Sequence, residues 1–585
     1  MRKLTWIALV LVLIVCSMTG CGEKNVEPVP TPSPTPSPTA APTPTPTPEP
    51  VAFETVVAQQ PVGYTAAADA AAVHEALSAA WAEENERLEY GGENPLYAEP
   101  ADGAVTLYGM EAPRQDAVGA PVSDGTYLYM LSGTTLRILR ADGVNTAQLG
   151  AMEVGSAWSD TQVGQETTWG GFEKYPSRLY LAGGKLAVLS NWYGYESYMQ
   201  GSVNVCDYTE YTCLDIYDLT DPVAPVLVAS FGQDGTVKAA DVQDGALYLV
   251  TEHTVYRDEA ESDSTPLPKL YTAEGSQTMD VSSVLLPECP ADSVYAVVGV
   301  YALETAARTD AKAVLGINGT AVLDAPRVYL TAERYVTGLS LAYRENIYDV
   351  SDYAVAACTD VLCLDASSGQ LVSGSSTTVI GHPGGERAVA MLGDKLHLAT
   401  REENYRYTLY ADSEHGFENI LWGDMESGEN LFALSDSLQD VSGASSAGMY
   451  EGYLFNWTDG NYLGLSRDES GVLRLSLLSI GADGTMAEAA AKTFGNDYSK
   501  TLSSMEAVYI NSEMNIIGFA ADDGYSFYSC NMEEGGFTSL FDAYITDWPW
   551  HVRCAAVGDH LYMTDRTTVY IYSLTDMALV HTLTL

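Results

Sequence analysis

Carboxylates are the chemistry this sequence has most of. It carries 78 Asp and Glu among 585 residues. With so many, acidic pairs arise by chance, so pairing alone does not mark a hydrolase. A nucleophile would need a recognisable setting, and no G-x-S-x-G turn is present. HExxH is absent too. The stretch 415–424 (HGFENILWGD) has a His and acids without a spacing that carries a mechanism. Residues 159–169 (SDTQVGQETTW) resemble the Asp-box of sialidase propellers only faintly, with Ser and Asp out of register, and read as a loop. His253, His382, His397, His415, His551 and His560 are scattered, and His397 and His560 fall in or beside strands. No catalytic residue is assigned.

Clustered oxygen ligands suit Ca²⁺. Asp258, Glu259, Glu261 and Asp263 share one loop, and Asp215, Asp218 and Asp221 lie near a strand end. No EF-hand spacing occurs, and a solvated acidic loop accounts for either set. No other cofactor is expected. Aromatics gather at Trp158, Trp169, Trp192, Tyr193, Tyr195 and Tyr198, and again at Trp548 and Trp550. Such rings stack on sugars, anchor a protein partner, or pack between neighbouring sheets.

Cys21 has a different chemistry. Arg2 and Lys3 precede an apolar run of ten residues, 6–15, too short to span a bilayer but suited to a signal peptide. Met18-Thr19-Gly20-Cys21 resembles a bacterial lipobox, which makes Cys21 the lipidated first residue after removal of 1–20. Residues 27–50 alternate Pro with Thr and Ser, which favours polyproline II. That spacer reaches up to about 75 Å at about 3.1 Å per residue. The expected location is extracytoplasmic, anchored to the membrane through Cys21.

Seven cysteines follow the anchor. Export permits disulfides. Cys206 and Cys213 are spaced for a hairpin bridge, and Cys530 and Cys554 for a bridge between neighbouring strands. No CxxC and no Cys/His cluster with zinc spacing occurs. The seven include an odd thiol, and buried unpaired cysteine fits all of them equally.

The elements that must position these groups are mostly strands. Residues 65–88 read as one amphipathic helix, capped by Thr65, with Val73, Leu77 and Trp81 on one stripe. From about 115 onward helix signals nearly vanish. Gly/Asp turns precede strands of alternating Leu and Tyr: Asp124-Gly125, Asp244-Gly245, Gly393-Asp394 and Gly558-Asp559. Third and fourth strands follow, as in 214–219 with 226–228 and 569–572 with 578–580. Four strands that then repeat make one propeller blade, which buries its faces only against its neighbours. Approximate units fall at 115–155, 177–232, 236–318, 319–380, 386–444, 447–495, 500–545 and 551–585. The fifth and sixth are faint, so seven or eight four-stranded blades are expected. The resulting division is a signal peptide at 1–20, lipidated Cys and spacer at 21–50, a helical segment at 51–114, and the all-β propeller at 115–585.

The segments 122–139, 212–231 and 558–576 resemble the secreted bacterial β-propeller family distantly related to WD-40 repeats. The likeness covers roughly 65–585, and 403–446 departs from it. It implies a fold and no catalytic residues. Charge narrows the partners. With 28 basic residues the net charge is −50. Loss of Arg2 and Lys3 leaves 26 against 78, or −52. Nucleic acid and anionic membrane surfaces are repelled. The reading is a monomeric, non-enzymatic binding or scaffold module whose partner is an envelope protein or glycan. Two alternatives stand beside it: a glycan-active hydrolase or lyase on the same propeller, and a calcium-stabilised structural element.

Overall fold

The computed structural model describes residues 50–90, 109–110, 119–162, 169–200, 203–256, 266–290, 292–383, 388–412, 414–423, 425–438, 441–444, 452–458, 460–467, 472–480, 486–495, 501–503, 507–521, 524–531, 536–544, 549–565 and 567–585. They all lie in the second of the chain's two units, 50–585. The signal, Cys21 and the spacer lie outside the described residues.

Turn chemistry sets the strand rhythm. Gly125 has φ of +91°, and the Asp124 carboxylate accepts from the Thr126 and Tyr127 amides at 2.9 and 2.7 Å. Asp244 and Gly245 are both left-handed, at +50° and +78°. Each such turn sends an alternating strand back beside its predecessor, so successive strands pair antiparallel.

Among the described residues seven sheets result. Sheet I spans 122–153, sheet II 156–278, sheet III 236–315 and sheet IV 321–444. Sheets V, VI and VII span 452–493, 509–544 and 553–584. Apolar side chains join each sheet to the next. Leu136 of sheet I meets Leu186 of sheet II, and Leu214 of sheet II meets Leu247 of sheet III. Val298 shares a buried cluster with Val328, Leu431 with Leu454, Leu475 with Phe519, and Phe527 with Leu561. Leu128 and Leu139 of sheet I pack against Val569 and Ile571 of sheet VII, which closes the ring. Each such side chain contributes about 1.5–3 kcal/mol on burial. Among the described residues no strand is shared across the joint between sheets VII and I. Side chains and the bond from the Gly143 amide to Tyr562 Oη, 3.2 Å, hold it.

The expected set of seven or eight four-stranded blades is corrected. Among the described residues only sheets I, VI and VII have four strands, while sheets II, III, IV and V have seven, six, ten and five. Two causes add strands. Insertions and the N-terminal segment contribute extra edges. In sheet IV, two four-stranded sets are fused because their long strands pair at 349–355 with 405–411.

The N-terminal segment also departs from a single helix. It holds α1 (Phe53–Ala58), β1 (Tyr64–Ala66) and α2 (Ala70–Tyr90). Thr65 is not the cap: it pairs with Leu286, and Asp69 Oδ1 accepts from the Ala72 amide at 2.9 Å. The stripe is as expected. Val73 and Leu77 are fully buried against sheet III, and the Trp81 indole donates to Val255 O at 3.2 Å. Gly109–Met110 then adds a parallel strand to sheet V.

Candidate functional site

Two sheets outgrow the ring. In sheet II the long strands are β2 (Trp169–Ala182), β3 (Lys185–Gln200) and β4 (Val203–Asp218). An inserted hairpin, β5 (Lys269–Thr272) and β6 (Gly275–Thr278), pairs onto the same sheet. In sheet IV they are β7 (Arg327–Glu345), β8 (Tyr348–Asp365), β9 (Lys395–Asp412) and the added β10 (Phe417–Trp422). A strand of sixteen residues spans about 50 Å, more than a blade needs. The β3–β4 and β7–β8 hairpins each join the second and third strands of their unit. Units repeat around a ring, so both extensions leave it at the same end, and the N-terminal segment crosses that end too.

Arm one carries an aromatic ladder across four strands. Phe172, Trp192, Tyr211 and Tyr271 follow one another with ring centroids 6.2, 4.9 and 4.0 Å apart and interplanar angles of 10°, 26° and 9°. Two glycines make room. A Cβ on Gly194 would lie 2.4 Å from the Trp192 ring, and one on Gly232 would meet both Tyr211 and Tyr271 near 3 Å. The inner ring faces are therefore spent on each other, and Phe172, at one end, is 40% exposed. On the other side of the arm Tyr208 is 60% exposed, beside Tyr193 and Tyr195. Under the ladder, Asp215 is buried with Lys174 and accepts from Ser230 Oγ at 2.7 Å. Asp234 accepts from the Lys269 amide and Tyr271 Oη, both at 2.6 Å. Burial and the Asp234 charge push the Tyr271 phenol well above its ordinary value.

Arm two is built differently. Leu339, Tyr353, Tyr407 and Trp422 lie directly opposite one another on β7, β8, β9 and β10. Tyr353 stacks on Tyr407 at 4.9 Å, and Trp422 tilts against Tyr407 at 4.9 Å. The root of the arm is a buried ion pair. Arg334 Nε donates to Asp360 at 2.5 Å, and its Nη2 donates to Asp360 at 3.1 Å and to Gln60 O at 2.6 Å. Thr378 Oγ1 donates to the same carboxylate at 2.6 Å. Arg406 ties in α1: its guanidinium lies 4.2 Å from the Phe53 ring centroid and donates to Val51 O at 2.9 Å.

A group of titratable side chains sits where arm two meets the ring. His382 Nδ1 is 4.0 Å from the Glu333 carboxylate, His382 Nε2 is 2.9 Å from Arg334 O, and the imidazole stands edge-on to Tyr335. Desolvation raises the Glu333 carboxyl above its usual range. Glu403 adds to that rise, while His382 and Lys238 oppose it. A carboxyl held toward neutrality beside an imidazole can give or take a proton. The sequence named His382 only as scattered and missed Glu333, because they lie 49 positions apart.

The beta propeller domain family matches residues 120–451, more than half of the chain. The chain belongs to this family. The resemblance read from 122–139 and its partners thus holds, and sheets V to VII continue the propeller beyond the matched region. Among solved structures the propeller is similar to a functionally unknown protein from Desulfotomaculum acetoxidans, at 9% identity and a TM-score of 0.23, covering 72% of this chain and 98% of that one. It is also similar to the RRP9 WD40 repeats, at 8% identity and 0.22, covering 57% and 88%. Neither likeness bears on function. No curated protein matches the sequence.

The propeller places the remaining candidates as follows. Trp192 is in the ladder. Trp158 and Trp169 lie on strands of arm one, with side chains outside the described residues, as is Trp548. Trp550 is half-buried in a short turn of helix, Pro549–His551. Asp258, Glu259, Glu261 and Asp263 lie outside the described residues. Asp215, Asp218 and Asp221 do not converge. Asp215 pairs with Lys174, Asp218 with Lys185, and Asp221 caps the Val223 amide. Thr220 and Lys185 hold Asp218 down at about 2. Among the described residues no three His, Cys, Asp or Glu side chains are placed to hold a metal ion.

Both proposed bridges are corrected. Cys206 and Cys213 sit on one strand, β4, about 23 Å apart by strand rise, so no hairpin brings them together. Cys213 is a free thiol that burial pushes up to about 11. Cys530 and Cys554 are free and belong to different sheets, VI and VII. Among the described residues no helix is long and apolar enough to cross a membrane.

Proposed function

We propose that the chain is a lipid-anchored binding or scaffold module outside the bacterial cytoplasmic membrane, with the arm-bearing end of the ring as its ligand face. One observation carries the reading: two aromatic-clad extensions leave the ring at one end, and their outer parts expose Tyr208, Leu339, Ile420 and Leu421. Blades supply the scaffold, and what rises from them makes contact. The lipobox and spacer supply the tether.

The test is crosslinking from intact cells, run beside a glycan array. A protein or glycan captured by the full chain should be lost when Tyr208 and Leu421 are both changed to Lys. Cys21→Ser should move the protein from the membrane fraction to the medium. The Glu333–His382 pair favours a second reading, a glycan-active enzyme. Turnover of a glycan that disappears in Glu333→Gln overturns the first reading in favour of the second.

A further inference from the structure

The two edges of arm two are unequally finished. On the β7 side the N-terminal segment, which packs across the face of β7 and β8, touches the strand at two points: Gln60 Nε2 donates to Thr337 O at 2.9 Å, and the Val51 amide donates to Ser340 Oγ at 3.0 Å. On the other side β10 pairs with β9 alone among the described residues. Its ladder fixes which backbone groups are used. The Gly423 amide donates to Arg406 O at 2.8 Å, so Gly423–Arg406 is a bonded pair. Antiparallel pairs alternate, and the register is unbroken. Leu421–Thr408 and Asn419–Tyr410 are therefore bonded too. The N–H and C=O groups of Glu418, Ile420 and Trp422 point away from the sheet.

One charge, Glu418, is the only device in β10 that guards this edge. The strand contains no Pro, no Lys and no bulge, the other devices that usually stop strand addition. Ile420 is 46% exposed on the Tyr407 face and Leu421 61% exposed on the opposite face. The surroundings choose the occupant. Glu418 on the strand and Glu414 just before it are exposed, and the chain as a whole carries −50. A second copy would bring the same charges against these. An extended segment with Lys or Arg would meet them favourably.

We propose that Phe417–Trp422 is a docking edge for an extended, cationic segment of a partner protein, which adds one antiparallel strand to arm two. Backbone bonds to Glu418, Ile420 and Trp422 would supply affinity. Apolar residues opposite Ile420 and Trp422, and a basic residue opposite Glu418, would supply selectivity. The proposal rests on the binding reading above.

The probe is a short labelled peptide alternating Val or Tyr with Lys, titrated into the full chain and followed by anisotropy. Two controls accompany it, one with prolines at alternate positions and one with Glu for every Lys. Saturable binding by the first peptide and at least about tenfold weaker binding by both controls is expected. Ile420→Pro removes one outward N–H and leaves the inward bonds, so it should cost about tenfold in affinity at unchanged melting temperature. Should that variant fold poorly, Leu421→Lys guards the edge without touching the backbone and should weaken binding similarly. Equal binding by the proline peptide, or full binding by both variants, overturns the proposal. Dimerisation of the full chain that Ile420→Pro abolishes also overturns it, because the occupant is then a second copy. If the peptide fails while crosslinking still captures a partner lost on Tyr208→Lys, the edge proposal falls and the binding reading stands.

Discussion

Arm one and arm two use the same device, strands that run on past the blade, and finish it in opposite ways. Arm one spends its aromatic faces internally, and its outermost strand on one side, β6, reads Gly-Ser-Gln-Thr. Arm two ends on a strand that reads Phe-Glu-Asn-Ile-Leu-Trp. A small polar edge offers a neighbour little to bury, whereas an aromatic and aliphatic edge offers a good deal. The contrast separates two roles that composition alone merges. One set of aromatics stiffens an extension, and the other lines an open border.

The largest test of this contrast is at the root of arm two. Arg334→Met leaves Asp360 buried without its cation, and should cost about 3–5 kcal/mol by chemical denaturation. Replacing both partners by apolar residues should restore most of the loss. If Arg334→Met costs under about 1 kcal/mol, the arm does not depend on that pair.

A second test uses pH. His397 sits on β9 where that strand lies in the ring, 3% exposed, with Nδ1 unpaired among the described residues. Burial, helped by Lys395, lowers its pKa to about 4. The unfolded chain protonates His397 near its ordinary value of about 6.5 while the folded chain does not. Its contribution is therefore complete above about pH 6.5 and drains away as pH falls toward 4, to a ceiling of about 3 kcal/mol. His397→Leu should remove that slope, seen as the difference between the two proteins' stability curves. Identical slopes would show that His397 is already accessible to protons in the folded ring.

The smallest effect distinguishes the arms directly. Trp192→Ala breaks the ladder at its middle and should cost about 2 kcal/mol, with a coupling to Tyr211 of about 1 kcal/mol in a double-mutant cycle. Trp422→Ala, at the border, should cost about half as much. Equal costs would remove the distinction between stiffening and lining.

Much of the ring was legible because its signals are local. Gly393 and Gly558 are left-handed where the turns were read, and Val73 and Leu77 are buried where the stripe predicted. The arms were not legible as arms. In 401–412 only Asn404, Tyr405 and Asp412 are buried, and Arg-Glu-Glu-Asn-Tyr-Arg-Tyr lacks the apolar alternation of a blade strand, so it reads as departure from the repeat. The departure read at 403–446 contains the second half of arm two, β9 running on into β10. Cys206 and Cys213 misled for a related reason. Seven residues of separation look like a hairpin unless the strand is known to run sixteen. Glu333 and His382 are brought together by the pairing of whole strands, which no spacing announces.

The joint between sheets VII and I has a consequence for how the protein is made. Sheet VII is built wholly from 553–584, so its Val569 and Ile571 leave the ribosome after every residue of sheets I to VI. Until then Leu128 and Leu139 on the first sheet have no cover. The sheets made before sheet VII form an open stack with an uncovered apolar end. Closure is thus a single event, timed by sheet VII, and loss of that sheet would leave that end open to aggregation rather than yield a smaller ring.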